Sequence, residues 1–155
     1  MKLRKSNGLY SDEIVYILNA HGHHINGIFS RDKLPSPLTN GWYVVNLQGE
    51  KQGDRRGTHW VCFKVTDHGI AYFDSFGFPP FLELLERFND KPIIYSTKEI
   101  QDYNSTCCGW FCIAAILTDK PSMPTTTFST FIKRFSSDTR KNDRILELLL
   151  TNLGV

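Results

Sequence analysis

The chain lacks several features that would place it in a common functional class. Its formal net charge is only +2, from 18 basic and 16 acidic residues, so no strong global field attracts nucleic acid. It has no apolar run near the ~18 residues of a membrane span, and no apolar segment follows its basic N-terminus as a secretory signal requires. A length of 155 residues is typical of one domain, so we expect a single domain over residues 1–155 that does not contact a membrane.

Cysteine is scarce and unevenly placed. The chain has 4 cysteines, namely Cys62, Cys107, Cys108 and Cys112. A secreted disulfide framework spreads its cysteines to link distant loops, whereas three of these are crowded together. We therefore expect a reducing compartment.

The pattern of metal-binding residue types is also weak. No cysteine pair has the CxxC spacing of a structural zinc site. His21, His23 and His24 could suggest a metal site, but with no carboxylate or cysteine nearby a polar helix end is the better interpretation. We predict that the protein needs no cofactor and binds no metal.

Apolar spacing predicts an α+β fold, with a central mixed or antiparallel β-sheet flanked by helices. A first helix is predicted over residues 9–21, with Ser11 as its N-cap and Gly22 as its end. Residues 22–41 are predicted to be a loop that Ile28 and Phe29 anchor to the core. Predicted strands cover 42–47, 58–65, 70–76 and 92–95, a polar mobile loop covers 48–57, and further helices cover 81–88, 127–135 and 139–153.

A cysteine lies where a polar loop becomes an apolar helix. Residues 101–107 are mostly polar, and the run from Ile113 to Leu117 is apolar, with Pro121 and Pro124 ending the unit. A helix N-terminus carries roughly +0.5 charge and unpaired N–H groups, which lower the pKa of a thiol there. This arrangement predicts a catalytic cysteine at the N-terminus of a buried helix.

A catalytic thiol needs a base and an orienting group, and His59 and Asp74 are the candidates. The turn at residues 67–69 predicts an antiparallel hairpin in which paired positions add up to about 136, so His59 lies near residue 77. Asp74 would then approach His59 across the sheet. Taken singly, His59 could be a hydrogen-bonded strand histidine and Asp74 a turn residue.

Three further residues have candidate roles around the thiol. Gln101 could donate its amide to a developing oxyanion, although alone it is a loop glutamine. Gly109 would allow the backbone to approach substrate closely. Trp60 could cover the imidazole, or could be a buried strand aromatic.

Cys107 and Cys108 compete for the role of nucleophile. Adjacent residues at a helix start point roughly 100° apart, so only one of them can face His59. Cys112 lies one turn after Cys108 and is predicted to be a packing residue.

Taken together, the ordered motifs resemble the adenain family, the maturation cysteine proteases of adenoviruses and of related viruses, virophages and virus-like transposons. More distantly they resemble the SUMO-deconjugating proteases. In that superfamily the order is His, Asp or Glu, Gln, Cys, with Trp after the histidine and Gly after the cysteine. The resemblance selects Cys108 as the nucleophile, and its motifs are Gly57-Thr58-His59-Trp60, Asp74-Ser75-Phe76-Gly77, Gln101 and Cys107-Cys108-Gly109-Trp110.

The resemblance implies cleavage of viral precursor and capsid proteins, inside the virion and the host cell (cytoplasm or nucleus), by a monomer. The resemblance also implies that DNA and a short peptide are candidate activators. Because the charge is nearly balanced, the sequence gives little support for activation by DNA. The lack of a cysteine between Cys62 and Cys107 argues against an activating peptide that is linked by a disulfide. Two alternatives remain open: a ubiquitin-like or SUMO-deconjugating protease, and a binding module that kept the fold and lost activity.

Overall fold

The computed structural model describes residues 8–48, 59–88, 90–119 and 128–155. Five strands form one mixed sheet in the order β1-β2-β3-β4-β5. The outer strands run parallel to their neighbours, and the three central strands are antiparallel. The strands are β1 (Gly27–Ser30), β2 (Gly41–Asn46), β3 (Trp60–Thr66), β4 (Gly69–Phe73) and β5 (Ile93–Tyr95).

Helices cover the sheet and confirm the predicted α+β class. They are α1 (Ser11–Ala20), α2 (Leu82–Arg87), α3 (Cys108–Leu117), α4 (Phe128–Ile132) and α5 (Asn142–Asn152), with a short 3-10 turn at Thr139–Lys141 before α5. The predicted loop at 48–57 and the predicted stops at Pro121 and Pro124 lie almost wholly outside the described residues.

The sheet separates two apolar layers because its strands alternate their side chains between the two faces. On β2, Trp42 and Val44 belong to the layer that holds α1, α3, α4 and α5. Tyr43 and Val45 belong to the opposite layer, which includes Leu84 of α2. Both faces of the sheet are therefore covered, which explains why the central strands are almost continuously apolar.

Helix α3 lies at the centre of the larger layer. Its residues from Cys108 to Ile116 are all buried. A helix that is apolar on every side is stable only when it is enclosed, here between the sheet, α1 and α5. The N-terminus of α3 is thus held in a fixed position next to the sheet.

Two local predictions were wrong. The segment 27–30 was predicted to be loop, but it forms the edge strand β1, where Ile28 and Phe29 pack into opposite layers. Four residues flanked by turn residues give too short a pattern to distinguish a strand from an anchored loop. Ser11 was predicted to be the cap of α1, but the cap is Tyr10, whose N–H donates to the Glu13 carboxylate at 2.9 Å.

Substitution of Gly69 tests how closely the start of β4 packs against Pro92. It has a φ of +139°, and an added Cβ would collide with the backbone carbonyl of Pro92. Gly22 is the matched control, because its φ is +77° and nothing lies within 4 Å of an added Cβ. We expect Gly69→Ala to reduce the free energy of unfolding by about 3 kcal/mol and Gly22→Ala by about 1 kcal/mol.

Urea unfolding at equilibrium measures both losses. Equal losses for the two variants would contradict the close contact between Gly69 and Pro92.

Candidate active site

His59 and Asp74 meet at the ends of two neighbouring antiparallel strands. His59 directly precedes β3, and Asp74 directly follows β4. Nε2 of His59 lies 2.6 Å from Oδ1 of Asp74, whose side chain is only 1% exposed. The structure therefore brings together the two residues that the sequence proposed as base and orienter.

The hairpin register differs by one residue from the predicted one. Cys62 pairs with Phe73 and Lys64 with Ala71, so partner positions add up to 135 and not about 136. Continuing that register places His59 opposite Phe76. His59 was predicted to lie within a strand, but it lies just before β3, where its carbonyl still accepts the N–H of Leu47 at 2.9 Å.

The carboxylate of Asp74 has few hydrogen-bond partners among the described residues. Its Oδ1 accepts the N–H of Phe76 at 2.8 Å as well as the imidazole contact. Its buried Oδ2 has no hydrogen-bond partner among the residues that the structure describes. A buried carboxylate is costly unless it is paired, so the imidazole of His59 is its principal stabilising neighbour.

The electrostatics at His59 favour the protonated ring. Burial would lower the pKa of His59, but hydrogen bonds to Asp74 and Cys108, together with their negative charges, outweigh it and raise the pKa to about 9. Because Nε2 faces Asp74, Nδ1 is the ring nitrogen left to bond the sulfur. Sγ of Cys108 also accepts the backbone N–H of Trp60 at 3.5 Å. The protonated ring of His59 is thus stabilised beside the sulfur of Cys108.

The aromatic ring that covers the imidazole is Phe76. The two ring centroids are 4.7 Å apart and the ring planes differ by 29°. Trp60 is instead the buried strand aromatic of the alternative interpretation, 3% exposed, with its indole N–H donating to the carbonyl of Leu9 at 3.0 Å. Phe76 was missed because only the corrected register puts it opposite His59.

Solvent access distinguishes Cys108 from the other three cysteines. None of the four forms a disulfide bond, but Cys108 is 7% exposed, whereas Cys107 is 1% exposed and Cys62 and Cys112 are fully buried. Burial and the negative charge of Asp143 raise the pKa of the Cys107 thiol to about 12. Burial likewise raises the pKa of Cys112 well above its usual value.

Both the oxygen and the nitrogen of the Gln101 side-chain amide are hydrogen-bonded within the site. It is 1% exposed, and its Oε1 accepts the hydroxyl of Ser75 at 2.5 Å. Its Nε2 donates to the carbonyl of Ser105 at 2.9 Å. Gln101 therefore links Ser75, which follows Asp74, to Ser105, which lies three positions before Cys108.

The start of α5 anchors the loop that carries Gln101. The side chain of Asn142, fully buried, donates to the carbonyl of Ile100 at 2.8 Å. Asp143 accepts the hydroxyl of Ser105 at 2.8 Å, and Thr139 donates to Asp102 at 2.8 Å. Sequence reasoning missed this function of the C-terminal segment, because isolated polar residues at a helix start give no signal of a long-range contact.

Gly109 lies where α3 packs closely against its neighbours, and its close approach to substrate stays a prediction. An added Cβ would lie 3.3 Å from the side chain of Leu9 and 3.3 Å from the ring of Trp60. The absence of a side chain thus lets α3 pack directly against β3.

Neither a metal site nor a membrane span is found in the part of the chain that the structure describes. No three His, Cys, Asp or Glu residues there are grouped to hold a metal ion. Nδ1 of His24 contacts the Asn19 side chain at 3.1 Å. Within the same residues, no helix has the length and apolar character that crossing a membrane requires.

Comparisons with known proteins find distant likenesses among solved structures. No protein-family model matches the chain, and no curated protein matches it. Among solved structures it is similar to one described as a SUMO protease Ulp1 with the catalytic cysteine oxidized to a sulfinic acid. The two share 13% identity over 94% of this chain and 78% of that chain, with a TM-score of 0.41. At that score the likeness supports no argument about function. Any functional argument must rest on the side-chain contacts of the site.

The contact between His59 and Asp74 predicts a specific titration. In the native protein the His59 ring should lose its proton near pH 9. Asp74→Asn removes the negative charge but leaves the burial, so the pKa of His59 should fall. NMR titration of the imidazole measures it, with His59→Gln to assign the signal.

Asp138→Asn is the matched control, because Asp138 pairs with Arg140 on the surface. It should leave the His59 titration unchanged. An unchanged His59 pKa in Asp74→Asn would contradict the proposed ion pair.

Proposed function

We propose that the protein is a cysteine endopeptidase in which Cys108 is the nucleophile, His59 the base and Asp74 the orienting residue. The observation that carries this proposal is a buried carboxylate 2.6 Å from an imidazole that also bonds the most accessible thiol of the chain. A purely structural core has no need of three ionisable groups in a row, because each costs free energy to bury.

The first chemical step is formation of the acyl-enzyme. The Cys108 thiolate attacks the carbonyl carbon of a peptide bond, and a negative charge develops on the carbonyl oxygen. His59 then donates its proton to the leaving amine as the C–N bond breaks. In the second step neutral His59 takes a proton from water as the water oxygen attacks the acyl carbon. The C–S bond then breaks, which releases the peptide acid and restores the Cys108 thiolate and the His59 imidazolium.

The oxyanion needs donors that are in place before the charge develops. The backbone N–H of Cys108 lies at the N-terminus of α3, where helical N–H groups lack carbonyl partners within the helix and the dipole is positive. Gln101 supplies a side-chain amide from the loop before it. Together they form the oxyanion-stabilising pair of this proposal.

The substrate class follows from the sequence resemblance. The order His59, Asp74, Gln101, Cys108 resembles the adenain family, which supports cleavage of viral precursor and capsid proteins during virion maturation. On this proposal the enzyme acts as a monomer without a cofactor, in the virion and the interior of the host cell. A DNA or peptide activator is a further element of the resemblance and has no support from the described contacts.

A second candidate function is deconjugation of a ubiquitin-like or SUMO protein. The SUMO-deconjugating proteases have the same order of residues. The residues alone therefore favour deconjugation as much as viral maturation. The two differ in substrate: a precursor with an internal cleavage site, or a folded ubiquitin-like protein joined through its C-terminal Gly-Gly.

Paired cysteine variants test the enzymatic proposal. Three substrates are needed: a viral capsid precursor protein, a ubiquitin-like fusion joined through Gly-Gly, and a peptide library analysed by mass spectrometry. Cys108→Ala should abolish all cleavage because it removes the nucleophile. Cys107→Ala, the matched control, should keep most of it because that thiol faces Asp143.

The outcome also separates the candidates. Cleavage of the precursor and not of the fusion supports the viral maturation function, and the reverse supports deconjugation. An intact protein whose Cys108 reacts with iodoacetamide no faster than free cysteine, and which cleaves none of the three, would be a binding module. Activity that survives Cys108→Ala would overturn the assignment of the nucleophile.

A further inference from the structure

Ser75 lies between two residues that contact the imidazole. Its neighbour Asp74 pairs with His59, and its neighbour Phe76 stacks on the same ring. Ser75 itself is 1% exposed and contacts a different group, because its hydroxyl donates to Oε1 of Gln101 at 2.5 Å. Its carbonyl accepts the N–H groups of Ile100 at 2.9 Å and Gln101 at 3.0 Å. One residue thus binds both the backbone and the side chain of Gln101.

The amide of Gln101 has one orientation that satisfies its neighbours. A carboxamide has an acceptor oxygen and a nitrogen with two N–H groups. The carbonyl of Ser105 can only accept, so Nε2 must face it, at 2.9 Å. The opposite orientation would place two acceptor oxygens together. Oε1 consequently faces Ser75, whose hydroxyl must donate to it, and the second N–H of Nε2 is left for another acceptor.

We propose that Ser75 is a positioning residue, which holds the Gln101 amide so that its second N–H is directed at the oxyanion. This inference rests on the proposed peptidase function. A donor that is already oriented needs no reorganisation when the charge develops, which is the source of its effect on rate. Because Ser75 follows Asp74 directly, the end of β4 sets the position of both the base and the oxyanion donor.

Replacing the hydroxyl tests the proposal. Ser75→Ala leaves Oε1 of Gln101 buried without its donor, so the amide can rotate away from its productive orientation. We expect kcat for the best peptide of the library to fall about 10- to 100-fold, with KM changed less than about twofold, because the lost interaction acts only in the transition state. Thr118→Val, which removes a hydroxyl at the other end of α3, should leave kcat unchanged.

A double-mutant cycle separates positioning from a general structural effect. In a Gln101→Ala background the amide is absent, so Ser75→Ala should cause no further loss of kcat. Alkylation of Cys108 by iodoacetamide forms no oxyanion, so Ser75→Ala should leave its rate and pH profile within about twofold of the native values. Additive losses of kcat, or an equal loss of alkylation rate, would overturn the proposal.

The native protein offers a second measurement, which does not depend on the folding of a variant. The chain has only three glutamines, Gln48, Gln52 and Gln101, so selective ¹⁵N labelling of glutamine amides gives three assignable pairs of signals. The Gln101 amide protons should exchange slowly and remain separate, because Ser75 and Ser105 hold the group. Rapid exchange at the rate of a solvent-exposed glutamine would overturn the inference.

These results distinguish the failure of this inference from that of the proposed function. Cleavage that survives Cys108→Ala refutes the peptidase mechanism. Cleavage that requires Cys108 but is unaffected by Ser75→Ala refutes only the positioning of Gln101 by Ser75.

Discussion

The pairing of a buried carboxylate with an imidazole is the interaction on which the candidate site depends. Asp74 has one oxygen in contact with His59 and with the N–H of Phe76, and its other oxygen has no partner among the described residues. Its charge is therefore balanced mainly by the ring of His59. That dependence keeps the ring protonated beside Cys108, against the opposing effect of burial.

The architecture explains how groups distant in sequence come to share one place. Antiparallel pairing of β3 and β4 brings the residue before one strand to the residue after the other. Helix α3, enclosed on all sides, presents Cys108 at the same end of the sheet, where Trp60 bonds its sulfur. The candidate residues His59, Asp74 and Cys108 thus lie at the ends of rigid elements. The side-chain amide of Gln101 is held by hydrogen bonds at its oxygen and at its nitrogen.

Much of the fold was predictable from sequence because its signals are local. The two-residue turn between β3 and β4 predicted the hairpin, and the apolar run after Cys108 predicted a buried helix. The short edge strand β1 was missed, because four residues carry too little periodicity.

For the site, residue types and order were sufficient to nominate His59, Asp74, Gln101 and Cys108. The supporting contacts were not predictable. Phe76 required the register to within one residue, and Asn142 and Asp143 act across about 40 positions of sequence through single hydrogen bonds. Such bonds depend on tertiary packing and leave no periodic pattern.

The attachment of the Gln101 loop to Thr139, Asn142 and Asp143 has a consequence for the order of biosynthesis. A ribosome adds roughly 5–20 residues per second, and the nascent chain emerges from its N-terminal end. The strands and helix α3 leave the ribosome before the residues that anchor this loop. A nascent chain that ends near Leu117 therefore has its thiol but not these anchors, so the loop acquires them only after the start of α5 has been translated.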